Sequence, residues 1–527
     1  MTLLSPAEQT FARVVSELVH CNPFTARRIE LEQQALGREF VEQDAEWNLR
    51  PDERHDHPNL LALERRLEQM AARVRSRLEK GVSATETERI LYEDVVFLSL
   101  YRRWRSALDE TVMTPGAGAS ARPGAIYRQL EREAARAFVG AAAPSRAAVP
   151  HFFSCAFQLR RAMHHIFDAI IGVSRPARRL RAEVWQSVFT HDMRRYRRLL
   201  FERMTDFTTL VTGPSGTGKE LVAQAIGMSR YIPFDTRKGA FASDFEGSFI
   251  ALNLSAMSPT LIESELFGHK RGAFTGAVAD RAGFLEACPP LGTVFLDEIG
   301  DLDAGIQVKL LRVIQARTFQ RLGETEERPF RGKIIAATNR DLAAAMAAGR
   351  FREDLYYRLC SDLIRTPTLA DQLADAPDDL GNLLGHIARQ LVGAEADALA
   401  AEAHTWITAN LGPSYAWPGN IRELEQCVRN VLVRGEYRPA RAEGEPGLAD
   451  QIEAGALTAD ELLDRYCESV YRSSGSYEAA ARRLQLDRRT VKARVLRHSA
   501  RATLGASRAR ERAPSSRRAS RKKERVR

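Results

Sequence analysis

Hydrophobic positions in the first part of the chain recur at helical spacing. The clearest apolar stripe consists of Leu60, Leu63, Leu67, Met70, Val74 and Leu78. Spacings of three and four residues place these side chains on one face of a helix, whose other faces carry Glu and Arg. A second helical segment is predicted at about 152–171, and residues 1–185 show no alternating β pattern. We therefore predict that residues 1–185 are helical, with the stripe either packed inside the region or contacting a partner.

The pattern changes near Phe207, where short apolar runs begin to alternate with helical segments. The runs predicted as strands are 208–212, 249–252, 293–296 and 333–337. Strands that alternate with helices indicate a parallel sheet with helices on both faces. The chain is helical again from about 370 to 434, a segment rich in Pro, Gly and charge follows, and residues 458–498 read as a small helical unit.

Composition indicates a folded, multidomain chain outside the membrane. With 527 residues the chain is too long for one hydrophobic core. It has no run of about 18 or more apolar residues that could cross a bilayer, and its start lacks the basic stretch and apolar block of a signal peptide. The six cysteines are scattered, without a CxxC pair. We expect a cytoplasmic protein with reduced thiols and no membrane contact.

The net charge of +9 is concentrated at the C-terminus. Residues 499–527 hold eleven Lys and Arg against two Glu, so the rest of the chain is balanced. Such a tail is predicted to be disordered. It is either an inert, solvated segment or a source of non-specific phosphate contacts to DNA.

A glycine-rich loop directly follows the first predicted strand. Gly213-Pro-Ser-Gly-Thr-Gly-Lys219 fits the GxxxxGK pattern between a strand and a helix. The glycines let backbone N–H groups surround phosphates at a helix N-terminus, and Lys219 supplies a positive charge to the outer phosphates. The general motif continues with Ser or Thr as a Mg²⁺ ligand, whereas this chain has Glu220. Mg²⁺ must therefore rely on other groups, such as Asp297, water and the phosphates.

Two adjacent carboxylates end the third predicted strand. In Gly292-Thr-Val-Phe-Leu-Asp297-Glu298 they follow an apolar run. Paired carboxylates repel each other and resist burial, so a plain surface turn is the weaker interpretation. We assign Asp297 to Mg²⁺ and Glu298 to polarising the water that attacks ATP.

The stretch from about 187 to 435 resembles the AAA+ domain of bacterial sigma-54-dependent activators. Its most specific element is the hexapeptide Gly272, Ala273, Phe274, Thr275, Gly276 and Ala277, which follows Glu265-Leu-Phe-Gly-His269. In the family, this hexapeptide tips a loop that touches sigma-54 and is raised and lowered by the nucleotide state. An exposed Phe–Thr between flexible Gly and Ala residues also fits a mobile contact tip better than a core.

The resemblance implies further site residues. Asn253 matches the asparagine that restrains the catalytic Glu, Asn339 matches the first sensor, and Arg422 matches the second sensor on the lid. Arg352 and Arg358 match arginine fingers that reach the ATP of a neighbouring subunit, which implies a homo-oligomer, expected as a hexameric ring. The residues expected at the nucleotide are Gly213, Pro214, Ser215, Gly216, Thr217, Gly218, Lys219, Glu220, Asn339 and Arg422. Those expected in catalysis are Glu298, Asp297, Arg352, Arg358 and Asn253.

Two segments depart from the family pattern. Residues 231–247 are longer than the usual connection, which predicts an inserted loop. Leu369-Ala-Asp-Gln-Leu-Ala-Asp375 replaces a Leu-Arg-Glu-Arg-type segment. The sequence therefore does not predict which contacts the lid makes in that region.

Residues 458–498 resemble the family's Fis-type helix-turn-helix. Residues 477–484 would be the first helix, 485–487 the turn and 488–497 the recognition helix. The side chains expected at the DNA are Arg488, Arg489, Thr490, Lys492 and Arg494. Such a helix fits the major groove of double-stranded DNA, and a generic basic surface helix is the alternative.

The expected fold is multidomain. It comprises a helical regulatory domain (1–185), an α/β AAA+ P-loop ATPase subdomain (186–369), a helical lid (370–436), a linker (437–457), a small all-α helix-turn-helix domain (458–498) and a basic disordered tail (499–527). Receiver, PAS and GAF sensor domains need β-strands, and residues 1–185 show no strand pattern. The sequence therefore does not assign the regulatory domain to a known type.

The resemblance implies an activator that uses ATP and Mg²⁺ to convert the closed complex of the sigma-54 RNA polymerase holoenzyme into an open complex. The sequence leaves two alternative functions. One is an AAA+ motor with a different client, which the intact hexapeptide disfavours. The other is a DNA-binding regulator without motor activity, which the intact Lys219, Asp297 and Glu298 disfavour.

Overall fold

The structure, a computed structural model, describes residues 2–42, 57–113, 122–140, 147–243, 248–413, 415–439 and 457–497. Contacts divide the chain into two compact units, Met1–Tyr437 and Arg438–Arg527. The predicted tail and most of the predicted linker lie outside the described residues. Of the helices that the structure describes, none is both long and apolar enough to span a bilayer.

The N-terminal region is helical, as predicted. Its helices are α1 (Pro6–His20), α2 (Ala26–Leu36), α3 (Pro58–Glu79), α4 (Glu86–Met113), α5 (Arg122–Ala137), α6 (Ala148–Ala169), α7 (Arg175–Phe189) and the short α8 (Met193–Arg195). α1 begins at a capping box in which the Ser5 and Glu8 side chains each accept from the other residue's backbone N–H. Among the described residues, no strand precedes Thr209.

The apolar stripe on α3 is part of the N-terminal core. Each of its six side chains, from Leu60 to Leu78, is at most 6% exposed. Helix α3 packs on α4, α2 and α5, which surround the stripe with apolar side chains. The stripe therefore packs inside the region, and the alternative of a partner surface on this face is wrong.

A five-stranded parallel sheet forms the α/β core. Its strands are β1 (Thr209–Thr212), β4 (Phe249–Asn253), β7 (Thr293–Asp297), β10 (Lys333–Thr338) and β11 (Asp362–Arg365). Their order is β11–β1–β10–β7–β4. Sequence patterning predicts all of these strands except the edge strand β11, whose Asp-Leu-Ile-Arg sequence holds only two apolar residues. The carboxyl ends of parallel strands meet at one edge, which is where ligands bind in such sheets.

Helices and short hairpins surround this sheet. The helices are α9 (Lys219–Gly227), α10 (Pro259–Phe267), α11 (Phe284–Ala287), α12 (Ala304–Ala316), α13 (Leu342–Ala347) and α14 (Glu353–Leu359). The hairpin strands are β2 (Phe234–Asp235) with β3 (Ala240–Phe241), β5 (Gly268–His269) with β6 (Arg281–Ala282), and β8 (Thr318–Phe319) with β9 (Arg328–Pro329).

The N-terminal helices share a hydrophobic core with the sheet. Met163 of α6 and Val184 of α7 pack in one cluster with Ile226 of α9, Phe295 of β7 and Ile335 of β10. The predicted boundary between 185 and 186 falls inside α7. The apolar faces of α6 and α7 cover the sheet and the P-loop helix, so residues 1–185 are not a separately packed body.

The segment predicted as an inserted loop contains the β2–β3 hairpin. Phe241 stacks on Phe157 with ring centroids 4.0 Å apart, and Phe234 packs edge-on to Phe153 at 4.9 Å. The backbone N–H of Phe234 also donates to Ser154 Oγ at 2.9 Å. The insertion therefore anchors the α/β core to the N-terminal helix α6.

Four helices form a lid over the sheet edge: α15 (Leu369–Asp375), α16 (Asp379–Val392), α17 (Ala396–Asn410) and α18 (Asn420–Arg434). The segment that departs from the family pattern is α15, which starts at a capping box formed by Thr368 and Asp371. The buried Asp379 carboxylate accepts from the backbone N–H groups of Val173 (2.5 Å) and Ser174 (3.0 Å). This contact joins the lid to the start of α7.

The second unit contains three described helices: α19 (Ala459–Ser474), α20 (Tyr477–Leu484) and α21 (488–497). Gln485 ends α20 in the left-handed region, with φ 54°. The unit's small core holds Cys467 and Val470 of α19, Ala480 of α20, and Val491 and Val495 of α21.

Candidate functional site

Two glycines of the glycine-rich loop lie where a side chain has no room. It connects β1 to α9, and Gly213, Gly216 and Gly218 have φ of 154°, 77° and 83°. A Cβ on Gly213 would lie 2.1 Å from Thr366 Oγ1, and one on Gly216 would lie 2.2 Å from the Gly419 carbonyl oxygen. Gly213 and Gly216 are therefore required for two reasons: their φ angles favour glycine, and a Cβ at either position would clash.

Lys219 is held inside this loop. Its Nζ donates to the carbonyl oxygens of Gly213 (3.0 Å) and Pro214 (3.1 Å). Burial lowers the pKa of the Lys219 ammonium, and the nearby Glu298 and Asp297 carboxylates act in the opposite direction. A buried cation facing two carboxylates is suited to neutralise a polyphosphate.

The two predicted carboxylates lie at the end of β7. Burial raises the pKa of Asp297, while a hydrogen bond from the Glu298 backbone N–H to its Oδ1 (3.0 Å) lowers it. Glu298 has a left-handed backbone, with φ 55° and ψ 49°, which is strained for a side-chain-bearing residue. Its Oε2 accepts from the backbone N–H of Asn339 at 3.1 Å. Glu298 is therefore oriented by the end of the neighbouring strand β10.

Asn253 ends strand β4 and pairs in register with Asp297. Its Oδ1 accepts from the backbone N–H (3.1 Å) and the hydroxyl (2.8 Å) of Ser255. In the arrangement seen here, the Asn253 side chain is engaged with the following turn, and the Glu298 carboxylate is held by Asn339.

The first turn of α18 closes on the glycine-rich loop. Arg422 Nη1 donates to Ser215 Oγ at 3.2 Å, and the Ile421 N–H donates to the Gly216 carbonyl oxygen at 3.0 Å. Asn420 Nδ2 donates to the Ser215 carbonyl oxygen at 2.9 Å, while its Oδ1 accepts from the Leu369 N–H at 2.9 Å. Asn420 thus joins the loop, α15 and α18.

Sequence reasoning did not assign roles to two residues at this site. Asn420 lies within the Trp417–Leu424 motif. Its backbone has a positive φ of 53°, which no feature of the sequence predicts. Thr366 follows the unpredicted strand β11, and its Oγ1 lies 2.6 Å from Thr217 Oγ1. Predicting β11 would have placed Thr366 at the carboxyl edge of the sheet, beside the loop.

The two predicted arginine fingers lie on helix α14 and at its start. Arg352 is the N-cap residue and pairs with Asp354 at 2.6 Å. Arg358 is exposed in the last turn of the helix. Leu355 and Leu359 are fully buried and anchor the helix on the α/β core. Both guanidinium groups are therefore at the surface.

The hexapeptide 272–277 forms a tight loop beyond β5, with an exposed tip. The Gly272 N–H donates to the Ala277 carbonyl oxygen at 2.8 Å, closing the loop at its base. Thr275 and Gly276 are exposed at the tip. Phe274 is half-buried, with its ring edge-on to that of His269 and the ring centroids 5.0 Å apart. Of the Phe–Thr pair that the sequence predicts to be exposed, Thr275 is exposed and Phe274 is partly covered.

The basic residues of α21 divide into two groups. Arg489, Thr490 and Lys492 are exposed, and Arg488 is exposed while pairing with Glu478 at 2.7 Å. Arg494 donates to the buried Asp464 at 2.9 Å, and its side chain is only 19% exposed. Arg494 therefore ties α21 to α19, which distinguishes it from the four exposed side chains predicted to contact DNA.

Residues 188–364 match the family described as the sigma-54 interaction domain. The chain therefore contains a sigma-54 interaction domain, the domain expected from its resemblance to sigma-54-dependent activators. It is 40% identical over 304 residues to the transcriptional regulatory protein ZraR of Escherichia coli strain K12, covering 56% of this chain and 64% of that protein. It is 44% identical over 229 residues to the Nif-specific regulatory protein of Azotobacter vinelandii, covering 44% of this chain and 40% of that protein.

The chain thus spans less than two thirds of the length of these curated relatives. Among solved structures, NtrX from Brucella abortus in complex with ATP is 25% identical with a TM-score of 0.36, covering 66% of this chain and 75% of that chain. The matched domain contains the glycine-rich loop, the carboxylate pair, the hexapeptide loop and both surface arginines.

Proposed function

We propose that this chain is an ATP-hydrolysing activator that binds upstream DNA and converts the closed complex of sigma-54 RNA polymerase into an open complex. One observation carries the proposal: a glycine-rich loop with its buried Lys219, the strand-end pair Asp297–Glu298 and the projecting loop 272–277 belong to one compact unit. Such a unit can link phosphate chemistry to the position of a contact loop.

The glycine-rich loop is suited to hold ATP. Gly213 and Gly216 lie where a Cβ would clash, and the backbone N–H groups of such a glycine loop at a helix N-terminus can surround phosphates. Lys219 would contact the outer phosphates, and Arg422 would contact the nucleotide from the lid. Asp297 would hold Mg²⁺, which supplies charge neutralisation on the phosphates when bound. Because Glu220 replaces the usual hydroxyl, the chain offers no hydroxyl ligand at that position.

Glu298 is suited to polarise the attacking water. Its carboxylate is held by the Asn339 N–H and lies close enough to Lys219 to affect its pKa. We infer that the Asn339 contact keeps Glu298 in position between turnovers. Asn253, which sits beside Asp297 across the β4–β7 pair, would restrain Glu298 when its side chain leaves Ser255.

The exposed Arg352 and Arg358 would complete the site of an adjacent subunit. Cationic groups of this kind stabilise the charge that develops during phosphoryl transfer. Their place at the surface supports a homo-oligomer, with a hexameric ring as the expected form. ATP hydrolysis would then depend on assembly.

The loop 272–277 would contact sigma-54, with Thr275 at its tip. Helix α21 would contact double-stranded DNA through Arg488, Arg489, Thr490 and Lys492, as the second helix of a helix-turn-helix formed with α20. The tight turn at Gln485 and the inward Val491 and Val495 support this arrangement.

The proposal is tested by measuring phosphate release and permanganate-detected promoter melting on the same preparation of the full chain with sigma-54 RNA polymerase. We expect both activities, with melting dependent on hydrolysable ATP. ATP hydrolysis without melting on any sigma-54 promoter would favour a motor with a different client. DNA binding without hydrolysis would favour a regulator that lacks motor activity.

A further inference from the structure

A cavity of about 180 Å³ lies inside the N-terminal helices, away from the nucleotide site. Its walls come from α1, α2, α3, α4, α6, α7 and α8, and their apolar part includes Leu63, Phe97, Phe152 and Met163. The rings of Phe97 and Phe152 stack 4.2 Å apart with an interplanar angle of 6°. The cavity therefore has flat aromatic and aliphatic surfaces.

The same cavity is lined by N–H donors that have no hydrogen-bond partner among the described residues. Arg102 Nε, Arg105 Nε and Trp185 Nε1 are buried there without a hydrogen-bond partner. The Arg102 side chain is 10% exposed, and its nearest carboxylate oxygen, on Glu64, is 3.8 Å away. Leaving buried donors unsatisfied costs roughly 1–3 kcal/mol each. These groups are therefore prepared for an acceptor that the chain itself does not supply.

Other cationic side chains at the cavity have close carboxylates. Arg160 donates to Asp109 Oδ2 at 2.8 Å, and Arg197 donates to Asp94 Oδ1 at 3.1 Å. Burial lowers the pKa of the Arg102 guanidinium, with Glu64 acting in the opposite direction. Arg28, which also lines the cavity, is paired with Glu32. The unmatched charge in the cavity is therefore positive and lies on Arg102 and Arg105.

We propose that this cavity binds a small apolar carboxylate, whose body contacts Phe97, Phe152 and Met163 and whose carboxylate is received by Arg102, with Arg105 and Trp185 as further donors. Size supports this class, because an apolar cavity of roughly 150 Å³ accommodates a benzene ring. A single ring or a chain of about six carbons with one carboxylate fits the available space. Guanidinium is also the preferred protein partner for carboxylate.

Helix α6 connects this cavity to the P-loop helix. Phe152 and Met163 line the cavity, while two other side chains of α6 hold the segment that follows α9. Gln158 Nε2 donates to the Ser229 carbonyl oxygen at 2.8 Å, and Arg161 donates to the carbonyl oxygens of Met228 and Arg230. A ligand that repositions α6 would therefore act on the end of the helix that begins with Lys219.

The binding test uses the purified full chain with benzoate and hexanoate as probes, and benzyl alcohol and hexanol as neutral counterparts. Equilibrium dialysis should show saturable binding of at least one carboxylate, with its neutral counterpart bound about tenfold more weakly or worse, because a hydrogen bond to a charged group is worth roughly 1.5–3 kcal/mol. Arg102→Gln should weaken carboxylate binding by a similar factor. Arg103→Gln is the matched control, because that neighbouring arginine is 47% exposed and pairs with Glu68 and Glu133 outside the cavity.

A second variant keeps the test decisive if Arg102→Gln unfolds the region. Ala156 is 4% exposed and lines the cavity, so Ala156→Leu should fill the space and abolish binding of both carboxylates. Absence of saturable binding for both benzoate and hexanoate overturns the proposal. Unchanged carboxylate affinity in folded Arg102→Gln, or in folded Ala156→Leu, overturns it as well. The readout is binding, so its failure is distinct from failure of the proposed transcriptional activity.

Discussion

Oε2 of Glu298 accepts a hydrogen bond from the backbone N–H of Asn339 at 3.1 Å. Two strand ends of the parallel sheet, β7 and β10, thereby position one carboxylate. Because the donor is a backbone group at the end of a buried strand, its position follows from the sheet and not from a side-chain rotamer. Changes to Glu298 should therefore affect hydrolysis more than folding.

Glu298→Gln is expected to retain ATP binding and to lower turnover by roughly 10²–10⁴-fold, the usual contribution of a general base. The amide keeps the size of the side chain but cannot accept a proton. Nucleotide affinity and phosphate release measured on one preparation check this. Glu326→Gln, at a carboxylate that is 68% exposed, should change neither. Normal turnover in Glu298→Gln would remove this residue from catalysis.

Arg358→Ala is expected to keep ATP binding and to lower hydrolysis by roughly 10³-fold, because a finger supplied by a neighbour acts on the transition state. Arg350→Ala, at an exposed arginine just before α14, is the control and should hydrolyse ATP normally. Dilution of the wild-type protein to monomers should lower specific activity. A monomer that hydrolyses ATP at the full rate would contradict a shared site.

Thr275→Ala is expected to leave ATP hydrolysis intact and to abolish sigma-54 binding and promoter melting. The exposed Thr275 lies on a loop closed by its own backbone hydrogen bonds, beyond β5, so its hydroxyl has no place in phosphate chemistry. Thr325→Ala, in the exposed β8–β9 connection, should retain both activities. Loss of hydrolysis in Thr275→Ala with an intact oligomer would instead place the loop in the catalytic site.

Arg489→Ala and Arg494→Ala are expected to differ although both remove a basic residue of α21. Arg489 is exposed, so its loss should weaken DNA binding and reduce the slope of log affinity against log salt by about one, at an unchanged unfolding temperature. Arg494 pairs with Asp464, whose side chain is 2% exposed, so its loss should lower the unfolding temperature of this unit. Filter binding over a salt series and thermal unfolding distinguish the two. Equal effects on stability would contradict the division of α21 into two groups.

Lys333 should make the stability of the first unit depend on pH in the alkaline range. Its Nζ donates to the Phe207 carbonyl oxygen at 2.7 Å, and burial lowers its pKa to about 8. Because the unfolded chain binds this proton more tightly, protonation at neutral pH favours unfolding. Stability should therefore rise between pH 8 and about 10.5, by roughly 3 kcal/mol if this group acts alone.

Lys333→Met is expected to lose this rise, as measured by urea denaturation across that pH range. Lys309→Met, at a lysine whose side chain is 48% exposed, should keep it. A wild-type protein whose stability is flat from pH 8 to 10 would show that Lys333 is charged in the folded state.

The local sequence pattern determined many of the helices and strands of this protein and its glycine-rich loop. The helical periodicity of Leu60–Leu78, the alternation of strands and helices after Phe207, and the GxxxxGK loop all depend on residues close in sequence, so spacing alone predicts them. The match of residues 188–364 to the sigma-54 interaction domain agrees with the resemblance carried by the hexapeptide 272–277.

Tertiary structure decided the features that join distant parts of the chain. The glycine-rich loop is backed by Thr366 and Gly419, and helix α6 holds the end of α9, because of sheet order and lid packing. The ion pair of Arg494 depends on Asp464 in another helix, and its basic character alone does not predict this contact. Residues 1–185 share a core with the sheet because the apolar faces of α6 and α7 each need an apolar partner. Sequence periodicity shows that a helix has an apolar face, but it does not show which surface covers that face.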